Sequence, residues 1–166
     1  MTRLCIYVFV LAGAITFTFS CASAQKQSLQ EPQGTSAAQT DARPVAQAQT
    51  YIQTCGICHL ENGEGVPGAY PPLSSRLGMW STTNTGASYL VGVVANGLHG
   101  AIEVDGQRYV GSMPGMSSRL SSEQIAALLN FVIENFAAGQ AVFSPASVDE
   151  IRQQIADTPS LSLRPE

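Results

Sequence analysis

Cys55-Gly56-Ile57-Cys58-His59 sets two thiols three residues apart and follows the second at once with an imidazole. That pentapeptide is the attachment signal of a covalently held haem. Each thiol can add its S–H across one porphyrin vinyl group to give a thioether. The short turn between them then places His59 under the ring as proximal iron ligand. A cofactor bonded twice cannot dissociate, which suits a small protein in dilute solution outside the cytoplasm. Electron transfer is the expected function, provided that the rest of the chain supplies a second ligand and a pocket.

Upstream of the motif the chain reads as export machinery. Arg3 gives a short positive start, Leu4 to Phe19 is almost wholly apolar or small, and Ala22-Ser23-Ala24 forms a cleavage site before Gln25. Residues 1–24 are therefore expected to be a secretory signal, since the apolar run is short for a membrane span. Periplasmic placement follows, and covalent haem attachment itself requires export. Cys21 offers a second reading, as the lipid-modified first residue of a membrane-anchored lipoprotein, although Phe19 and the residue three places before the cysteine depart from the usual pattern. Cys5 lies in the removed segment under both readings. Only Cys55 and Cys58 of the four cysteines then belong to the mature domain, so no disulfide framework is expected.

Residues 25–44 are rich in Gln, Ser, Ala, Thr and Pro and have almost nothing to bury, so they read as a disordered linker. Such a segment would also serve as a tether from a lipidated Cys21. Residues 45–158 make one domain of ordinary size, and 159–166 read as a C-terminal tail. Within 45–158 four basic residues (Arg76, Arg108, Arg119 and Arg152) face nine acidic ones, with no lysine. That balance argues against nucleic acid and against anionic lipid as partners.

Local patterns place the elements. Val45 to Thr54 reads as a short helix that runs into the motif, with Tyr51 one turn before Cys55. Glu61 to Leu73 carries three glycines and three prolines and must be loop. Ser88 to Asn96 reads as a helix with Gly97 as its left-handed cap. Ala101–Val104 and Gln107–Val110 flank Asp105-Gly106, a strong hairpin signal because both turn positions need positive φ. A hairpin alone is marginal and must lean on the haem edge or on nearby loops. Ser121 to Phe136 is the clearest helix: Ser121 and Gln124 form a capping box, and Ile125, Leu128, Leu129, Val132, Ile133 and Phe136 recur at helical spacing. Val148 to Ala156 reads as a last short helix capped by Ser147. One motif implies one haem.

A second axial ligand decides between electron transfer and the binding of gases or peroxide. The candidates after His59 are Met79, Met113, Met116 and His99. Met113-Pro114 is placed in a glycine-flanked loop before the long helix, and a thioether there favours ferrous iron and raises the potential. Met79 reads as a core gap-filler, Met116 as the fallback ligand, and His99 as a solvated turn histidine.

These motifs, taken in order, resemble a class I cytochrome c. More narrowly, the chain is similar to the single-haem bacterial domains that accompany terminal oxidases, quinohaem alcohol dehydrogenases and copper nitrite reductases. The resemblance covers about Val45 to Arg152. It rests on Tyr51 before Cys55, Gly63-x-Gly65-Val66-Pro67-Gly68, Tyr70-Pro71-Pro72-Leu73, Asn96-Gly97-Leu98, Gly111-x-Met113-Pro114 and Val148-x-x-Ile151-Arg152. It implies a mainly all-α cytochrome c fold of about four or five helices around one covalently bound haem c, with a small β-hairpin near Ala101–Val110. It further implies that Tyr51 sits near Leu128 and Phe131 where the terminal helices cross. The family usually has glycine where this chain has Gln47, which leaves Ala46 and Ala48 to make the crossing. The resemblance gives the Pro71 carbonyl as acceptor for His59 Nδ1–H, and Trp80 and Arg76 as partners for the haem propionates, with core packing an equal reading for Trp80.

The leading function is thus a periplasmic single-electron carrier with no substrate chemistry of its own, ligated by His59 and Met113 and partnered by an oxidase, dehydrogenase or reductase. Its competitor is a haem-based catalytic or gas-binding protein with a displaceable methionine. Thioredoxin-like or zinc-binding use of Cys55 and Cys58 fails on context, because no strand precedes the motif and no second cysteine pair exists. With Lys26 as the only lysine, docking through a basic ring is excluded, leaving an apolar patch near the haem edge or a basic partner.

Overall fold

The computed structural model describes residues 38–74, 76–140 and 142–165, with side chains described from Val45 onward. The stretch read as a secretory signal, 1–24, with Cys21, and the first part of the segment read as linker lie outside the described residues. Helix α1 spans Ala38–Tyr51 and continues into a π-helical turn, Ile52–Gly56, and a short α2, Ile57–His59. After a loop come α3 (Leu77–Trp80), α4 (Asn84–Asn96), strands β1 (Gly97–Val104) and β2 (Gln107–Pro114), α5 (Ser122–Phe136) and α6 (Pro145–Gln154). A 3-10 turn, Ser160–Leu163, closes the chain. The chain is mainly helical, with one antiparallel hairpin, as expected.

Several boundaries differ, each for a local reason. Helix α1 begins at Ala38, inside the segment read as linker, and runs through Pro44. Proline ordinarily opens a helix or removes one of its hydrogen bonds, so nothing in the sequence marks a helix on its N-terminal side. Helix α4 starts at Asn84 because the Thr83 hydroxyl accepts the Gly86 N–H at 3.1 Å. At its other end Gly97 has φ 85° and ψ 178°, so it turns the chain directly into β1 and is not a left-handed α cap. The hairpin is four residues longer on each strand than 101–110, because the ladder continues from Val104↔Gln107 back to Gly97↔Pro114. Its turn is as expected, with φ of 51° at Asp105 and 76° at Gly106. The α6 cap is Ser144, not Ser147; Pro145 supplies a preset first turn, and Ser147 is the third helical residue of the capping box.

The core lies between α1, α4, α5 and α6. Tyr51, Val91, Ile125 and Val148 are each 0 % exposed. Tyr51 joins the N-terminal and C-terminal helices, its ring centroid 5.4 Å from Phe131 and 4.9 Å from Phe136. Of the small residues expected at this crossing, Ala46 is exposed and Ala48 half-buried, while Gln47 is itself half-buried. The Ser121 capping box is present, with Ser121 Oγ accepting the Gln124 N–H and Gln124 Oε1 accepting the Ser121 N–H. Helices α5 and α6 are joined by Ser122, which donates to Asp149 and accepts from Arg152 Nη1 at 2.7 Å. Within the segment read as a tail, Ser160–Leu163 packs against α4. Ser160 is buried, and Gly92 of α4 leaves room for it together with Ile155 and Leu163.

Candidate functional site

The two thiols are presented by consecutive helical pieces: Cys55 on the π-helical turn and Cys58 on α2. A π-turn adds a residue to the helical repeat and recurs at functional sites. The thiols are not joined to each other. Burial, and then the neighbouring Cys58 charge, pushes the Cys55 thiol up to about 11. As a free thiol Cys55 is thus protonated at neutral pH, which is unlike the low-pKa cysteine of a disulfide exchanger.

His59 is 7 % exposed, and its Nδ1 lies 2.8 Å from the Pro71 carbonyl oxygen. A carbonyl can only accept, so Nδ1 carries the proton and Nε2 keeps its lone pair for a metal. Burial pushes the His59 pKa below its ordinary value, and the Pro71 hydrogen bond partly opposes this. Burial favours the neutral imidazole, and the Pro71 bond fixes its orientation.

Loop 60–73 is shaped to deliver that carbonyl. Leu60 turns the chain with φ 64°, and its carbonyl accepts the Tyr51 hydroxyl at 2.6 Å. Gly65 N–H then donates to His59 O at 2.9 Å, and Leu73 N–H to Gly63 O at 2.7 Å. Gly65 has φ 66°, and a Cβ there would stand 2.3 Å from Tyr70 O and 2.7 Å from Pro71 O. Only glycine lets the proline segment lie this close.

Met113 sits on β2 opposite Leu98, half-buried. It is therefore a strand residue and not the loop residue that its glycine neighbours suggest. Gly97 permits this placement, because a Cβ there would approach Met113 O to 2.5 Å. The remaining sulfur and imidazole candidates are elsewhere. Met116 is packed in the core, Met79 is 61 % exposed and so no core gap-filler, and His99 is an exposed strand residue paired with Ser112 Oγ at 2.7 Å.

One cavity of about 470 Å³ gathers the expected site. Cys55, Cys58, His59 and Met113 line it, and so do Pro71, Arg76 and Trp80. Its remaining wall comes from the hairpin, from loop 69–74 and from apolar side chains of α4 and α5, including Leu90, Val94 and Leu128. Volume and lining suit a large flat apolar ring. The indole Nε1 of Trp80 is buried without a hydrogen-bond partner, so the wall also holds an unused donor. Thiols, imidazole, thioether and apolar walls in one cavity fit a haem.

The sequence reading missed two contributors to this wall. Tyr89 packs edge-on against Trp80 with centroids 5.4 Å apart, and Arg164 lies 5.6 Å from the Trp80 ring centroid. Tyr89 carried only a core signal. Arg164 stands in a segment without periodicity, where nothing announces a return to the site.

Residues 42–132 match the family described as cytochrome C oxidase, cbb3-type, subunit III. Cytochrome c-552 of Thermus thermophilus is 37 % identical over 108 residues, which is 64 % of this chain and 81 % of that protein. The cytochrome c subunit of the quinone alcohol dehydrogenase of Gluconacetobacter polyoxogenes is 36 % identical over 91 residues, 53 % of this chain but 18 % of that subunit. A 32 % identical stretch of 88 residues occurs in the corresponding subunit of Gluconobacter oxydans, covering 52 % of this chain and 17 % of that subunit. The chain belongs to the cytochrome c family, whose cofactor is haem c, and carries an electron-transfer domain of that family.

Proposed function

We propose that this chain is an exported carrier of single electrons, with one haem c bonded to Cys55 and Cys58 and held between His59 and Met113. The carrying observation is that both thiols, the proximal imidazole and one thioether line the same cavity. Haem bound there supplies a one-electron ferrous/ferric couple. The protein's own part is to keep the surroundings alike in both states. His59 is held neutral by burial and oriented by Pro71. The Met113 thioether is a weak, neutral, soft donor that favours the ferrous state and raises the potential. Leu90, Val94 and Leu128 keep water from the ring, which limits reorganisation.

The export signal and the covalent motif together support a periplasmic location, with a membrane tether if Cys21 is lipidated. Relatives named as subunits of alcohol dehydrogenases, and a family named for an oxidase subunit, support a redox enzyme as partner. The test is axial ligation. The oxidised protein is expected to show the weak red charge-transfer band of a His/Met haem, lost in Met113→Ala and retained in Met116→Ala. The reverse pattern reassigns the ligand. Absence of the band, with ready carbon monoxide binding to the reduced protein, overturns the carrier reading in favour of a gas-binding or catalytic haem.

A further inference from the structure

The hairpin has two long edges, and only one of them is covered. Its two-residue turn has positive φ at both Asp105 and Gly106, so the flanking Val104 and Gln107 form a hydrogen-bonded pair. Bonded and non-bonded pairs alternate from there. Ile102 and Tyr109, Gly100 and Gly111, and Leu98 and Met113 exchange main-chain bonds. Glu103, Ala101 and His99 on β1, and Arg108, Val110 and Ser112 on β2, turn theirs outward. The C-terminal segment covers the β1 edge. Arg164 Nη2 donates to the outward Glu103 carbonyl, and Leu161 lies 3.5 Å from where a Gly100 side chain would begin. Among the described elements β2 meets only β1 and α4. Gln107 Nε2 reaches the Arg108 carbonyl at 3.1 Å, but among the described residues no hydrogen bond outside the hairpin reaches the main chain of Val110 or Ser112. Arg108, Val110, Gly111 and Ser112 are exposed, Val110 by 64 %. An uncovered edge without a bulge or an interior proline is a template for another strand.

We propose that β2 pairs with β2 of a second copy of this chain, antiparallel about a two-fold axis at Val110. That register sets Val110 against its own counterpart and Arg108 against Ser112, so all three outward residues of each strand find partners. A shift one way sets Arg108 against Pro114, which has no N–H, and a shift the other way leaves Ser112 opposite the turn. Charge favours this flank for the meeting of two acidic copies. Residues 45–165 hold nine carboxylates, yet β2 carries a single charge, Arg108, and that faces Glu103 of the same hairpin. In the paired strands the two arginines stand about 13 Å apart, beyond the screening length of about 10 Å at 0.1 M salt. Opposed residues of antiparallel neighbours share a face, so the cavities of the two copies lie on the same side of a four-stranded sheet. Three residues a strand make a small interface, and the association is weak and concentration-dependent.

The test uses the holoprotein over a wide range of concentration. Sedimentation velocity reads association, and amide hydrogen exchange reads the edge. The wild type is expected to pass from monomer to dimer as concentration rises, with the Val110 and Ser112 amides exchanging more slowly in step. Val110→Lys and Val110→Glu each set like charges directly opposite one another and should weaken association about fivefold or more. Val110 is exposed and does not line the cavity, so neither substitution touches the haem site. An equimolar mixture of the two variants should recover the association that each alone has lost, because a lysine then faces a glutamate. Recovery cannot come from a variant that has failed to fold. A wild type that stays monomeric at the highest attainable concentration overturns the proposal and leaves the edge to a strand of another protein. A dimer that neither substitution weakens, or that forms without slowing exchange at Val110 and Ser112, places the interface elsewhere and overturns it too.

Discussion

Gly65 shapes the loop that brings the Pro71 carbonyl to His59. A Cβ at this position would stand within 2.7 Å of both the Tyr70 and Pro71 carbonyl oxygens, and the backbone there has φ 66°. Gly65→Ala therefore moves the one acceptor that fixes His59. It is expected to destabilise the protein by about 2–4 kcal/mol and to raise the reduction potential, because an imidazole that loses its Nδ1 partner is a poorer donor to ferric iron. Chemical denaturation and potentiometry on the same sample check both; an unchanged potential would mean that Pro71 does not tune the haem. Tyr51 makes a second residue-scale prediction. Its hydroxyl is pushed up to about 12, by burial first and then by Cys55. The folded value exceeds the ordinary 10.0, so the native state holds the proton more tightly, and this contribution is intact below pH 10 and lost as pH rises through about 12. Tyr51→Phe should be less stable at pH 8, having lost the bond to Leu60 O, yet lose on the order of 2 kcal/mol less stability than the wild type across that alkaline window. Parallel slopes for the two proteins would show that Tyr51 does not titrate there. The haem motif was legible because it needs particular residue types at a particular spacing. The Pro71 carbonyl was reached only through the family resemblance, and Met113 lies on a strand and not in the expected loop. The packing role of Gly65 was not legible, since one glycine in a loop of three looks like any other.

At the scale of elements, the strength of a local signal decided how well the sequence could be read. Helix α5 has a reciprocal cap, an acid in its first turn and an unbroken apolar face, and it begins and ends within a residue of its expected limits. Helix α6 has a competing serine three residues inside its true cap, so Ser147 drew the assignment away from Ser144. Helix α1 carries Pro44 in its interior, which hides its first turns. The π-turn has no residue signature of its own. It is a backbone adjustment between α1 and the haem motif, directly after Tyr51, whose ring packs against Phe131 and Phe136 of α5. The hairpin shows the same limit. Asp105-Gly106 marks the turn, but the ladder extends to Gly97 and Pro114 because those ends pack against α4, which periodicity cannot reveal. Caps can be tested directly. Ser121→Ala removes the acceptor for the Gln124 N–H, and also the geometry that lets Gln124 reach back. A loss of about 1 kcal/mol is expected, with little change at the haem. Ser144→Ala should cost a similar amount, whereas Ser147→Ala should cost less because Ser144 still accepts the N–H of residue 147. Equal losses for the two α6 variants would place the cap where the sequence alone had put it.

For the whole molecule, charge and closure belong together. The C-terminal segment returns across α4 and brings Arg164 to the cavity, which Arg76 also lines. The packed part of the chain thus reaches beyond residue 158, and two guanidinium groups stand at the cavity of an otherwise acidic domain. Composition could show the charge imbalance but not this placement, because a contact between residues 61 apart in sequence, Glu103 and Arg164, leaves no local trace. From Val45 to Pro165 there are five arginines against nine carboxylates and no lysine. Around the haem motif exposed apolar groups (Ile57 at 75 %, Leu60 at 41 % and Tyr70 at 42 %) stand among exposed Gln53, Glu61 and Glu64. A field of this sign repels an acidic redox partner at long range and attracts a basic one, and at about 0.1 M salt the effect reaches only about 10 Å. Stopped-flow electron transfer with one strongly acidic and one strongly basic reporter protein measures this. The rate with the basic reporter should fall as salt rises, and the rate with the acidic reporter should rise or stay level. A steep fall with the acidic reporter would require a positive docking face. No lysine ring exists to make one, so such a result would have to trace to Arg76, Arg108 or Arg119, and their replacement by glutamine should then abolish it.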